Sequence, residues 1–172
     1  YKDERIQLSK GFDKGDPSEL RLTTTELLEA YQFARIINHY QGFKLIAEAS
    51  DKFSWNLNLS EIARIWTNGC IIRSTLMTDL VEVFKSTTNI LTNTDVIKVV
   101  QQTKKATKKV VSACVTNDLV SPALSEALQF FNGITTPYAS ANIIQAQRDY
   151  FGAHTYQRLD DDFGKRFHTN WI

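Results

Sequence analysis

The run Thr23-Thr24-Thr25-Glu26-Leu27-Leu28-Glu29-Ala30-Tyr31-Gln32-Phe33-Ala34-Arg35-Ile36-Ile37 decides the fold. Thr23 and Glu26 stand at the spacing of a capping box, in which a hydroxyl and a carboxylate satisfy two of the backbone N–H groups that a helix start leaves open. Behind them Leu27, Leu28, Ala30, Tyr31, Phe33, Ala34, Ile36, Ile37, Tyr40, Phe43, Leu45, Ile46 and Phe53 cover most of a helix circumference. The pattern predicts one long helix over about Thr25 to Lys52. A helix that is apolar nearly all round belongs in the centre of its domain.

Further helices follow on the C-terminal side. Ser60 is expected to cap a short one through Ile62, Ile65 and Trp66, which Asn68-Gly69 ends in a left-handed turn. The next is expected to carry Ile71, Ile72, Leu76, Leu80, Val83 and Phe84. Thr94 or Asn93 caps another, running from Asp95 to Val115, with Asp95 near the positive end of its dipole. Ser121-Pro122 reads as a cap with proline at the first helical position, opening Ala123 to Phe131 before Asn132-Gly133 stops it. A last helix begins at Ser140 or Ala141 and ends near Gly152. Before the long helix, Gly11, Gly15, Asp16 and Pro17 leave the tail of an earlier helix and a loop.

No segment alternates convincingly as a strand, so the predicted class is all-α: a multi-helix domain with a long central helix, residues 1–154, and an extended C-terminal tail, residues 155–172. In that tail Asp160-Asp161-Asp162 is charged and Gly164 interrupts, yet Phe163, Phe167 and Trp171 recur every fourth residue. Three large aromatics call for burial, either as a short helix on their own domain or inside a partner.

Composition narrows the function. The 172 residues are 42% hydrophobic and 23% charged, with 7 Gly and 3 Pro, which excludes disordered and collagen-like classes. A net charge of +1 gives no global field for a polyanion. Lys104, Lys105, Lys108 and Lys109 share a helix face, but no aromatics interleave, so a solvated surface is expected rather than a nucleic-acid site. Cys70 and Cys114 fit no metal or redox spacing and are expected to be reduced, buried thiols; no metal site is expected. His39, within the long helix, is expected to be a satisfied core or interface histidine. No run reaches the ~18 apolar residues of a membrane span, and Tyr1-Lys2-Asp3-Glu4-Arg5 is neither a signal peptide nor a natural start. The chain is expected to be cytoplasmic, away from membranes, and the back end of a longer protein. With no GxGxxG, GxSxG, HExxH or EF-hand loop, it is expected to hold neither a dinucleotide nor an autonomous active site.

One segment differs in kind. Gln145-Ala146-Gln147-Arg148-Asp149-Tyr150-Phe151-Gly152-Ala153-His154-Thr155-Tyr156 gathers amides, an arginine, a histidine and aromatics at a helix end. Arginine offers a bidentate fork for phosphate or carboxylate, and histidine a second donor. The alternative reading pairs Arg148 with a carboxylate and leaves His154 as a helix-end residue.

With Ile144 in front, these residues resemble the C-terminal signature of 6-phosphogluconate dehydrogenase, decarboxylating. Lys2-Asp3-Glu4-Arg5-Ile6-Gln7, Gly69-Cys70-Ile71-Ile72-Arg73-Ser74, Ser121-Pro122-Ala123-Leu124-Ser125 and Phe167-His168-Thr169-Asn170-Trp171 agree in the family's order. Thr67-Asn68 stands where the family commonly has Arg-Gly, and Ser140 where proline is usual. The resemblance implies the helical C-terminal domain of an enzyme of the pentose phosphate pathway. That enzyme oxidises 6-phosphogluconate at C3 with NADP, releases CO2 and yields ribulose 5-phosphate. Its proton-transferring lysine and glutamate and its NADP-binding domain lie upstream of Tyr1 in the family layout, so no catalytic or cofactor-binding residue is expected here and the isolated chain is expected to be inactive. It further implies a homodimer whose tail threads into the partner, with Arg148 and His154 reaching the partner's substrate. The alternative is an autonomous, non-catalytic helical interaction module.

Overall fold

The computed structural model describes residues 1–138 and 140–171; Ile172, the last residue of the expected tail, lies outside them. The described residues contain seven α-helices: α1 (Lys2–Leu8), α2 (Thr24–Phe53), α3 (Leu59–Trp66), α4 (Thr75–Val83), α5 (Thr94–Thr116), α6 (Pro122–Ile134) and α7 (Ala141–Gly152). The chain divides into two compact units at Phe131/Asn132, inside α6, so the signature and the tail belong to the same unit.

The first unit is built around α2. Its capping box is complete: Thr23 Oγ1 accepts from Glu26 N at 3.2 Å, and Thr23 N donates to Glu26 Oε2 at 2.8 Å. The other oxygen of Glu26 takes Lys109 Nζ at 2.5 Å, which joins the start of α2 to α5. Lys109, then Thr23, hold the Glu26 carboxyl below its ordinary range. Phe33, Ile37 and Phe43 of α2 are buried with Met77 and Leu80 of α4, Val100 and Val111 of α5 and Leu128 of α6. Packing of α5 along α2 and of α3 on α4 makes the helical layers. The long helix was thus legible from its cap and apolar positions, and the all-α class holds among the described residues.

Three boundaries depart from expectation. Ser60 does not cap α3: Asn58 does, accepting from Glu61 N at 3.1 Å, and Ser60 instead donates to Val81 O at 2.8 Å, tying α3 to α4. Ile71 and Ile72 lie before α4, which Ser74 caps; Gly69 at φ 69 and a turn closed by Arg73 N on Cys70 O leave Ile71 wholly exposed. Of the two expected candidates for the cap of α5, Asn93 takes the role, accepting from Asp95 N and Val96 N. Asn132-Gly133 does not stop α6, because Gly133 keeps helical backbone. The helix ends at Ile134, ahead of Pro137, whose ring disfavours helical backbone at Thr136.

Cys70 and Cys114 are free but half-buried, not buried as expected. Of the four lysines at 104, 105, 108 and 109, two have partners on other elements, Lys109 on Glu26 and Lys104 over the Phe131 ring at 4.7 Å. No helix among the described residues is long and apolar enough to cross a membrane.

Candidate functional site

In the second unit α7 carries the signature. Ser140 is its N-cap without a side-chain bond, and Ala153 closes it in the left-handed region at φ 48, its N–H bonded to Asp149 O at 2.9 Å. Thr155 is left-handed as well, at φ 64. Two non-glycine residues in that region, one on each side of His154, cost energy and persist only where surrounding bonds hold them.

Those bonds converge on Asp149. Its carboxylate is fully buried, with Oδ1 accepting from Thr155 N and His168 Nδ1, both at 2.9 Å. Oδ2 accepts from Thr169 N at 3.0 Å and Trp171 Nε1 at 2.9 Å. Burial pushes the carboxyl's pKa up, but the bonds from Thr169, His168, Trp171 and Thr155 more than offset it and hold the group well below the usual carboxylate range. With a depressed folded-state pKa, its hold on the tail is complete above the unfolded value near ~4 and is lost only as pH falls through the folded one. The clasp is intact throughout the neutral range.

The tail therefore returns onto α7. Tyr156 and Phe167 form an antiparallel bridge with bonds of 2.9 and 2.8 Å, and Trp171 meets Tyr150 edge-on at 6.3 Å. Between the bridge residues, Arg158 pairs with Asp160, whose carboxyl it holds down to about 2, and Lys165 pairs with Asp161. The fourfold spacing of Phe163, Phe167 and Trp171 builds no helix: Phe167 pairs across the bridge, Trp171 reaches Asp149, and Phe163 is 99% exposed.

Arg148 and His154 stand at the same end of α7, both exposed. Among the described residues no carboxylate pairs with Arg148, so the reading that spent it on a structural ion pair is not realised. The His154 ring meets Phe151 edge-on at 5.7 Å and lies back over Gly152, where an added Cβ would come within 2.9 Å of Nε2. Glycine at 152 leaves the imidazole its seat.

The first unit carries two grooves. A groove of about 800 Å3 in the first unit is lined by Arg35 but also by Asp79, Glu82 and Asp95, which repel an anion. His39 faces a second groove beside Phe43, Trp66 and Ile72; Nδ1 donates to Arg35 O at 2.7 Å, and the buried Nε2 has no partner among the described residues. Among the described residues it is thus not the satisfied core histidine of the two readings expected, and burial lowers its pKa, favouring the neutral form. Asp149 and His168 are the members of this bonded cluster that spacing alone missed, and Trp171 stood out only for its aromatic ring. One signal was available: a carboxylate in the last turn of a helix opposes the dipole, so it needs donors from elsewhere.

Residues 1–171 match the family described as 6-phosphogluconate dehydrogenase, C-terminal domain. The chain belongs to this family. Curated relatives named 6-phosphogluconate dehydrogenase, decarboxylating, include one from Caenorhabditis elegans, 39% identical over 179 aligned residues, and one from Aggregatibacter actinomycetemcomitans, 34% identical over 180. Each alignment covers 99% of this chain and 37% of the relative. A solved Plasmodium falciparum 6-phosphogluconate dehydrogenase, studied in its apo form, with its cofactor NADP+ and with its substrate 6-phosphogluconate, superposes with a TM-score of 0.88 at 31% identity. The match covers 99% of this chain and 38% of that one. The two departures noted from the family's usual residues fall at helix ends: Thr67 is the C-cap of α3, and Ser140 the N-cap of α7.

Proposed function

We propose that this domain supplies substrate-phosphate contacts to an NADP-dependent oxidative decarboxylase that converts 6-phosphogluconate to ribulose 5-phosphate and CO2. The observation that carries the reading is an exposed guanidinium, Arg148, without a carboxylate partner among the described residues, at the same helix end as the exposed imidazole of His154. A planar fork matches a phosphate dianion, and an imidazole N–H adds a donor. Contacts to a phosphate remote from C3 orient the reacting carbon without moving a proton themselves. The family resemblance assigns NADP to a part of the enzyme outside this chain, whose seven glycines form no GxGxxG. Free cysteines suit a reducing cytoplasm.

Calorimetric titration of the full-length protein tests the reading. 6-Phosphogluconate should bind at least about ten-fold more tightly than gluconate, since a charge-assisted contact contributes roughly 1.5–3 kcal/mol. Equal affinity for the two sugars would leave the phosphate without a site and favour a non-catalytic interaction module.

The reading also includes a homodimer in which each tail reaches the partner. An almost wholly exposed Phe163, with Tyr150 and Phe151 exposed on α7, is apolar surface of the kind that interfaces cover. Removing residues 155–172 from the full-length protein should shift the dimer towards monomer at dilute concentration. Light scattering reads the mass directly, and an unshifted dimer would sink the idea.

A further inference from the structure

The reading of Arg148 and His154 as phosphate contacts leaves open what holds them, and a helix terminus is ordinarily the least rigid part of a helix. Here both flanks of His154 are bonded to a single residue. Ala153 N donates to the main-chain carbonyl of Asp149 at 2.9 Å, and Thr155 N donates to its side-chain Oδ1 at 2.9 Å. Gln145 Nε2 adds a bond to Thr155 O. The same carboxylate takes His168 Nδ1, Thr169 N and Trp171 Nε1 from the far end of the chain. Arg148 directly precedes it.

We propose that Asp149 is the positioning residue of the phosphate contacts: its buried carboxylate fastens the returning tail to the end of α7 and fixes the backbone that carries Arg148 and His154. The proposal rests on the assignment of those two residues to substrate. A carboxylate suits the task because it is acceptor-only, with lone pairs for all four donors. An amide is isosteric but brings two N–H groups, so in either orientation it turns donors onto donors at one pair of bonds. Either the left-handed backbone at Thr155 loses the side-chain bond that stabilises it, or Thr169 and Trp171 lose theirs and the tail loosens; in both cases the backbone that seats His154 over Gly152 is held less firmly. Asp149 itself faces inward and touches no substrate, so it acts only through its neighbours.

Steady-state kinetics on the full-length enzyme test this in two backgrounds. Asp149→Asn in the native background should raise KM for 6-phosphogluconate about five-fold, with kcat and the KM for NADP changed less than about two-fold. In an Arg148→Ala/His154→Ala background, where nothing remains to position, the same substitution should leave KM within about two-fold. A rise confined to the native background supports the proposal. An unchanged KM there, an equal rise in both backgrounds, or a fall in kcat alone overturns it. If the double alanine variant itself shows a native KM, the assignment of Arg148 and His154 to phosphate fails, which is a different result from a silent Asp149→Asn beside a strongly affected double variant. Should Asp149→Asn yield no folded protein, Trp171→Phe decides in the same two backgrounds. It keeps the ring against Tyr150 and deletes one donor to Oδ2, and about a three-fold rise in KM, native background only, is expected.

Discussion

Arg148→Ala in the full-length enzyme is expected to raise KM for 6-phosphogluconate by at least about ten-fold while kcat moves little. A guanidinium on a phosphate dianion makes charge-assisted bonds worth roughly 1.5–3 kcal/mol, which corresponds to about ten- to a hundred-fold in binding. The phosphate keeps its charge from ground state to transition state, so its loss is felt equally in both and appears in KM. Because Arg148 is exposed and pairs with no carboxylate among the described residues, its removal should change stability by no more than about 0.5 kcal/mol. That separation of effects makes the experiment decisive. Arg148→Lys keeps the charge and loses the fork, so it should fall between the two. An unchanged KM in the alanine variant would remove Arg148 from the substrate site.

What could be read from sequence, and what could not, follows the range of the interactions. Thr23 and Glu26 lie three residues apart and bond each other, so the start of α2 was legible from local spacing alone. The long apolar surface behind them placed the helix in the core for the same reason. Ser60 was misplaced as a cap because its hydroxyl has two possible uses, and the choice was made by a carbonyl 21 residues away on Val81. Gly133 could have ended α6 in a left-handed turn, but its backbone stayed helical and the stop came from Pro137 instead. Arg148 and His154 stood out by residue type within one signature. Asp149, between two conspicuous neighbours, did not, because its donors arrive from residues 155 to 171 through a chain reversal that no local pattern encodes. The aromatic tail shows the same limit: a fourfold repeat suggested a helix face, whereas the charged turn and the Tyr156–Phe167 bridge give each aromatic a different environment.

The largest effect on stability is expected at Phe43. Its ring is 2% exposed and lies 4.4 Å from the Phe84 ring, just past α4, and 5.3 Å from the Trp66 ring at the end of α3. It therefore fastens α2 to the α3–α4 pair, which otherwise packs chiefly on itself. Phe43→Ala removes the buried ring, opens a cavity and deletes two aromatic contacts, for a cost of about 3–5 kcal/mol. Such a loss is comparable with the whole stability of many domains. Denaturant unfolding of the chain should show the midpoint falling sharply, with α3 and α4 losing amide protection first. Leu45, two residues along the same helix but 72% exposed, provides the control, and Leu45→Ala should stay within about 0.5 kcal/mol. If both variants unfolded alike, the burial of Phe43 would not be what fixes α3 and α4 against the central helix, and the packing described for the first unit would need to be redrawn around another side chain.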